Sequence, residues 1–357
     1  MNLGETGLPR KREIRFLLSW VALGPLSSDS EIAMNVDRGI GSPRSSFITV
    51  LLVLAMVAGP AALTLHRVRV PAVVDVAYPN PSPYGYTVSL LLFIVPIVVI
   101  LWWLVPQDGI RISKRSFLIT LALTVPLGVA LDFFFAHRFL TFLNPGATLG
   151  VRAPALGGGV PVEEYVFYLT GYMMVLLLYI WLDEYWLSAY GVPSTDPTRT
   201  NFERLLRFHP KSVALAAVLI AGALICRSVY DHHHGVSGFP GYFVFQVVGV
   251  LAPASALFPS AAPVVNWRAL SLEMFVILLT SLLWEATLAM PYGWWGYQPG
   301  QMMGIFITAW SYLPIEAVCV WVAVSFQTVM VYEVVKRWKA SGKKARHAFL
   351  GLPSRML

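Results

Sequence analysis

Long apolar stretches constrain this chain more than any other feature. Eight segments of about 19–27 residues carry few charges, and a helix needs ~20 residues to cross the hydrocarbon core of a bilayer. The 357 residues are 57% hydrophobic and only 13% charged. We therefore expect an all-α, polytopic transmembrane helical bundle rather than a soluble domain. The predicted spans are Phe47–His66, Tyr86–Val105, Ser116–Ala136, Val162–Leu187, Ser212–Tyr230, Tyr242–Ser260, Ala269–Met290 and Ile305–Val331.

The distribution of basic residues predicts the orientation of these spans. Of the 26 lysines and arginines, 21 lie in the N-terminal segment, in the loops after spans two, four and six, and in the C-terminal tail. Such loops face the cytoplasm. We expect both termini to be cytoplasmic, in a bacterial-type inner or plasma membrane. Residues 1–45 are predicted to be a basic, disordered leader and residues 336–357 a basic tail. The net charge of +7 is attributed to this loop bias and to contact with membrane lipid, not to nucleic-acid binding.

The chain resembles itself at a distance of about 153 residues. "ALDFFFAHRFLTFLNPGATLG" followed by "VPVEEYVFYL" corresponds to "LLWEATLAMPYGWWGYQPGQMMG" followed by "LPIEAVCVWV". The spacing from Asp132 to Glu163 is 31 residues, and so is the spacing from Glu285 to Glu316. Four spans in each copy would give both copies the same orientation. The predicted repeats are residues 46–190 and 205–335.

Acidic side chains lie at matching positions in the two predicted repeats. One acid lies near the end of spans three and seven, and one lies near the start of spans four and eight, all on the outer side of the membrane. An acid in the first turn of a helix is also explained by the helix dipole alone. Symmetric pairs of acids favour a functional site instead. The candidate catalytic residues are Asp132, Glu163, Glu164, Glu285 and Glu316.

The chemistry expected of such a cluster is acid–base chemistry on an apolar substrate. A carboxyl group in an apolar pocket keeps its proton more readily, and neighbouring carboxyl groups reinforce this effect. Aromatic side chains at the same level either form an interfacial belt or stabilise a carbocation through their π faces. We expect some to contact substrate. The candidates are Tyr165, Phe167, Trp294, Trp295, Tyr297 and Trp310. The two cysteines, Cys226 and Cys319, suggest neither a disulfide nor a zinc site.

At these residues the chain resembles the membrane-integral lycopene cyclases, the heterodimeric or fused-domain carotenoid cyclases of bacteria, archaea and fungi. The resemblance rests on the duplicated acidic hairpin, on "PYGWWGYQPG" and on the pair "PVEEYVFY" and "LPIEAVCV". It covers residues 115–187 and 268–335 well and the other spans weakly. Ala317 stands where a second acid is expected, and Val320 stands where Phe is usual.

This resemblance implies the cyclisation of the ψ ends of an acyclic carotene to β-ionone rings. In the expected mechanism, Glu163 or Glu316 protonates a terminal double bond, and Glu164, Asp132 or Glu285 removes a ring proton. The reaction is an isomerisation that requires no cofactor and no metal. The expected partners are a lipophilic polyene within the bilayer, such as lycopene, and other enzymes of carotenoid synthesis.

Other functions fit some of these features. A related terpenoid cyclase or a carotenoid hydratase would use the same protonation step. A proton-coupled transporter would also contain repeats and intramembrane acids. A magnesium-dependent prenyltransferase would need aspartate-rich motifs that the predicted spans lack. Glu273 and Glu333 are expected to mark the cytoplasmic membrane boundary.

Overall fold

Among the described residues, seven helices that are long and apolar enough to cross a membrane dominate the structure. It is a computed structural model that describes Leu51 and residues 80–193, 195–235 and 237–351. The chain is therefore a helical bundle of the membrane type. The helices are Gly85–Gln107 (α1), Lys114–Phe139 (α2), Val162–Trp186 (α3), Pro210–His234 (α4), Gly241–Ala261 (α5), Trp267–Ala289 (α6) and Ile315–Ser341 (α7).

Six of these helices agree with predicted spans to within about four residues at each end. The first predicted span, Phe47–His66, lies outside the described residues apart from Leu51, and so does the predicted leader. The predicted start of the last span at Ile305 is wrong by ten residues, because the preceding apolar segment forms a β-hairpin. The same helix continues to Ser341, so the predicted tail boundary at residue 336 lies inside α7.

Prolines and π-helical segments lie within the helices and do not end them. Helix α5 runs through Pro253 and Pro259, the two prolines that interrupt its apolar pattern. It contains a π-helical segment at Gln246–Leu251, and α6 ends in another at Glu285–Ala289. Neighbouring helices can satisfy the backbone groups that such irregular turns release. The segment in α6 matters for the site, because Glu285 is its first residue.

The connections that follow α2 and α6 contain the same order of elements. Each has a short strand, a Pro-Gly 3₁₀ turn and a two-stranded hairpin that leads into the next helix. The strands are Leu140–Thr141 (β1), Arg152–Ala153 (β2), Val160–Pro161 (β3), Gly296–Tyr297 (β4), Phe306–Ile307 (β5) and Leu313–Pro314 (β6). Pairs β2–β3 and β5–β6 are the antiparallel hairpins, and β1 pairs with β4 in the register Leu140↔Tyr297. The β1–β4 pair joins the two connections, which brings the ends of α2 and α6 together.

Buried charged side chains stabilise the end of the bundle opposite the β1–β4 pair. Arg199, in the short helix Pro197–Thr200, forms an ion pair of 3.3 Å with Glu333 of α7. The Tyr179 hydroxyl donates a hydrogen bond of 3.1 Å to the same carboxylate. Glu333 is fully buried inside the protein, and its place at the cytoplasmic membrane boundary stays a prediction. Through the Arg199–Glu333 ion pair, the connection after α3 is held against helix α7.

Candidate active site

A cavity of about 60 Å³ lies where α2 and α6 end and where α3 and α7 begin. Helices α1, α3, α5, α6 and α7 supply most of its wall, and the β1–β4 pair and the neighbouring Trp295 supply the remainder. The apolar and aromatic lining surrounds two carboxyl groups. Its polar side chains are Tyr86, Glu164, Tyr168, Tyr172, Tyr242, Glu285 and Tyr297.

Asp132 and Glu164 form the first acidic group of the site. The carboxyl groups of these two residues are near neighbours and interact with each other electrostatically. The Tyr168 hydroxyl donates to Asp132 Oδ1 at 3.1 Å, and the Tyr86 hydroxyl donates to Glu164 Oε1 at 2.8 Å. Asp132 Oδ2 is buried and has no hydrogen-bond partner among the described residues. Because like charges at close range repel, this pair is arranged to hold a proton.

Glu285 forms the second acidic group, and both of its oxygens accept a hydrogen bond. The Tyr297 hydroxyl donates to Oε2 at 2.8 Å, and Trp321 Nε1 donates to Oε1 at 2.8 Å. Burial of Glu285 opposes its charged form, and the two donors offset part of that cost when the carboxylate forms. Tyr297 lies outside the membrane helices, and burial together with the nearby Glu285 charge holds the pKa of Tyr297 well above its usual value. Its phenol therefore stays protonated and remains a donor to Glu285.

Glu163 and Glu316 do not line the cavity. Glu163 Oε1 accepts hydrogen bonds from the Leu149 backbone N–H at 2.7 Å and from the Thr87 hydroxyl at 2.6 Å. Glu316 Oε1 accepts one from the Met303 backbone N–H at 2.5 Å. These two acids lie in the first turns of α3 and α7, as the sequence predicts. Each carboxyl group ties the preceding connection to the start of its helix.

Aromatic rings enclose the acidic groups. Phe167, Trp295 and Tyr297, three predicted substrate contacts, line the cavity together with Trp321. The Phe167 ring lies 5.5 Å from that of Trp321 and 5.2 Å from that of Trp284, while the Trp295 ring lies 5.0 Å from that of Tyr86. A cation in this cavity would meet the electron-rich faces of several rings.

The other predicted aromatic residues contact the surrounding structure instead of the cavity. Trp294 Nε1 donates to the Ser82 hydroxyl at 2.9 Å. The Tyr165 hydroxyl donates to a backbone carbonyl in the connection after α2 at 2.5 Å. Trp310 is partly buried and packs against the hydrophobic core. These side chains support the site from outside.

Sequence reasoning missed four functional-site side chains that the fold brings to the cavity. Tyr168 follows Glu164 by four residues, so both lie on one face of α3, and that spacing could have identified it. Tyr86, Tyr242 and Trp321 carry no comparable signal, because each reaches the acids from a helix distant in sequence.

Comparison of the chain with family models, with curated proteins and with solved structures finds no match. Within the described ranges, no group of three His, Cys, Asp or Glu side chains is arranged to hold a metal ion. The fold and the site together define a polytopic helical protein of the membrane type with acidic groups in an aromatic cavity.

Proposed function

We propose that this chain is a lycopene cyclase that converts the ψ ends of an acyclic carotene to β-ionone rings without a cofactor. One observation carries the proposal. The carboxyl groups of Glu164 and Glu285, from two different helices, line one aromatic cavity. A proton-initiated cyclisation needs an acid, a base and surroundings that tolerate a carbocation, and this cavity combines all three.

The hydrogen bonds around the acids favour one assignment of roles. The Asp132–Glu164 pair is the acid. Two adjacent carboxyl groups share one proton because it relieves the repulsion between two negative charges. It adds this proton to a terminal double bond, and the neighbouring alkene attacks the resulting cation to close a six-membered ring. Glu285, which accepts two hydrogen bonds, is the base that removes a ring proton and so forms the new double bond. The atoms of the substrate are unchanged in number.

The cavity is smaller than the proposed substrate requires. An engineered cavity that binds benzene has a volume of roughly 150 Å³, so about 60 Å³ is too little for a terpenoid ring. The cavity must therefore widen when substrate enters. Half-buried Val320 and Val324 of α7 belong to its wall and offer an apolar surface along which a polyene can lie.

The same proposal includes a tandem duplication with eight spans, the first at Phe47–His66, and with both termini in the cytoplasm. Two similarities between the connections support the duplication. Pro145–Ala147 and Pro299–Gln301 form equivalent 3₁₀ turns. Glu163 and Glu316 each accept a hydrogen bond from a backbone N–H of the connection that precedes it. A polyene substrate would reach the site from the bilayer.

The proposal is tested with purified protein in lipid vesicles that contain lycopene and no added cofactor. We expect a cyclic product with the mass of lycopene. Glu164→Gln and Glu285→Gln should each lower its rate by about 10²–10⁴-fold, the contribution of one positioned acid or base. Glu203→Gln is the matched control, because the Glu203 side chain is 84% exposed. Equal rates for all three variants would contradict the proposal.

Product analysis in the same assay separates the closest alternatives. A carotenoid hydratase would let water capture the cation, so its product would be heavier than lycopene by one water molecule. A terpenoid cyclase of the same chemistry would leave lycopene unchanged and would cyclise a different apolar polyene.

A proton-coupled transporter is a second candidate, and Glu273 favours it. This residue of α6 is fully buried inside the protein. The Ser325 hydroxyl donates to Glu273 Oε1 at 2.9 Å, while Oε2 has no hydrogen-bond partner among the described residues. A buried acid of this kind is typical of proton pathways. Glu273→Gln would abolish proton movement into vesicles if the chain were a transporter, but would leave cyclisation unchanged.

A further inference from the structure

The cyclase reaction proposed above leaves the two acidic groups in the wrong protonation states for the next turnover. The Asp132–Glu164 pair has lost a proton to the substrate, and Glu285 has gained one from the ring. The pair and Glu285 are buried, and the cavity is largely apolar. A proton must therefore pass from Glu285 back to Asp132 and Glu164 before another ring can form.

Three tyrosines of the cavity wall lie beside these two groups. Tyr297 donates its hydrogen bond to Glu285, and Tyr168 donates its hydrogen bond to Asp132. Tyr242 of α5 lines the same cavity and is 5% exposed. Its ring lies 6.0 Å from that of Tyr297. Each end of the row is thus bonded to one of the two acidic groups.

The packing of Tyr242 identifies it as the middle of this row, because Tyr168 and Tyr297 both pack against the hydrophobic cluster that contains Tyr242. Its hydroxyl also lies within electrostatic range of Glu285 and Asp132. Tyr242 in turn acts on both Tyr168 and Tyr297. Tyr172 lines the cavity too, but among the described residues it interacts with neither acidic group.

We propose that Tyr168, Tyr242 and Tyr297 return the proton from Glu285 to the Asp132–Glu164 pair after each ring is formed. The inference rests on the proposed cyclase function. Glu285 gives its proton to the Tyr297 oxygen while the phenolic proton of Tyr297 moves on to Tyr242. The protons of Tyr242 and Tyr168 shift in the same direction, and the last one reaches the acid pair. Each phenol ends with the proton count it began with.

Water that entered this cavity would extend the reach of the phenols. One water molecule needs roughly 10–15 Å³ of such volume and 2–4 polar partners, so a cavity of about 60 Å³ holds a few. The phenol hydroxyls and the two carboxyl groups supply those partners. Water molecules can therefore bridge any gap between successive hydroxyls once the cyclic product has left.

The test compares single and repeated turnover in Tyr242→Phe. With protein in excess over lycopene, each site forms one ring and needs no returned proton, so we expect the wild-type rate. With lycopene in excess, every later ring waits for the proton, and we expect the steady-state rate to fall at least about tenfold. Tyr332→Phe is the matched control, because Tyr332 is a buried tyrosine of α7 that does not line the cavity, and it should change neither rate.

The experiment distinguishes five outcomes. A loss confined to repeated turnover supports the tyrosine row. An unchanged Tyr242→Phe, or equal losses in both regimes, overturns it, because a structural role would slow the first ring as well. A loss confined to the first ring also overturns it. Failure of the wild type to form any ring would instead contradict the proposed function itself.

Discussion

The Tyr297 hydroxyl donates a hydrogen bond of 2.8 Å to Glu285, although Glu285 lies near the end of α6 and Tyr297 lies in strand β4 beyond it. The pairing of β4 with β1 fixes Tyr297 opposite Leu140, at the end of α2. One short pair of strands thus positions a proton donor against the proposed base. The Tyr297–Glu285 contact makes the chemistry of the site depend on the folding of the two connections.

Replacing Tyr297 by Phe should lower the rate of cyclisation by about 10²-fold, because it removes one of the two donors that hold the Glu285 carboxylate. The raised pKa of Tyr297 also predicts a pH response. Since the phenol keeps its proton beyond the ordinary tyrosine value of about 10, wild-type activity should show no decline from its ionisation between pH 7 and 10. Initial rates across this range test both statements. A decline centred near pH 9 in the wild type that is absent from Tyr297→Phe would contradict them.

Replacing Gly128 by Ala should impair the site from outside the cavity. A Cβ atom at this position would lie 2.3 Å from Cδ1 of Tyr168, so the ring must move away from α2. That movement breaks the 3.1 Å hydrogen bond to Asp132. We expect a loss of about tenfold or more in the rate of cyclisation.

The control for this prediction is Gly222→Ala, since a Cβ atom there meets nothing within 4 Å. Tyr168→Phe should reproduce the loss, and adding Gly128→Ala to it should cost little more, because both changes remove the same contact. Fully additive losses would show that Gly128 acts in some other way.

Replacing Arg199 by Ala should destabilise the protein without touching the cavity. The change leaves the buried Glu333 carboxylate without its ion-pair partner, and breaking a buried pair costs about 3–5 kcal/mol. The midpoint of thermal unfolding in detergent should fall markedly. Arg207→Ala removes an exposed pair with Glu203, worth about 0–1 kcal/mol, and should leave the midpoint nearly unchanged. Equal midpoints for the two variants would disprove a structural role for the buried pair.

The helices could be predicted from sequence because membrane spans depend on length and apolar composition alone. Six spans were located within about four residues on that basis. The start of α7 could not be predicted, because the hairpin before it is as apolar as a membrane helix. Strands of two residues, such as Leu313–Pro314, carry no periodic signal, and the partner that defines them lies several residues away.

The acidic residues were predictable as a set, but their individual positions were not. Glu163 and Glu164 are adjacent, so their side chains point about 100° apart around the helix. One faces the connection and the other faces the cavity, and only the packing of α3 against its neighbours determines which. The expectation that Glu163 or Glu316 supplies the proton therefore gives way to a proposal in which Glu164 and Asp132 do.

Pigment analysis of a lycopene-accumulating bacterial host is the measurement that tests the central claim most directly. Expression of the complete chain should convert lycopene to γ- or β-carotene, detected by chromatography and absorption. The Glu164→Gln and Glu285→Gln variants should leave lycopene in place, while Glu203→Gln should behave like the wild type. Unchanged lycopene in cells whose membranes contain the wild-type protein would contradict the assignment as a lycopene cyclase.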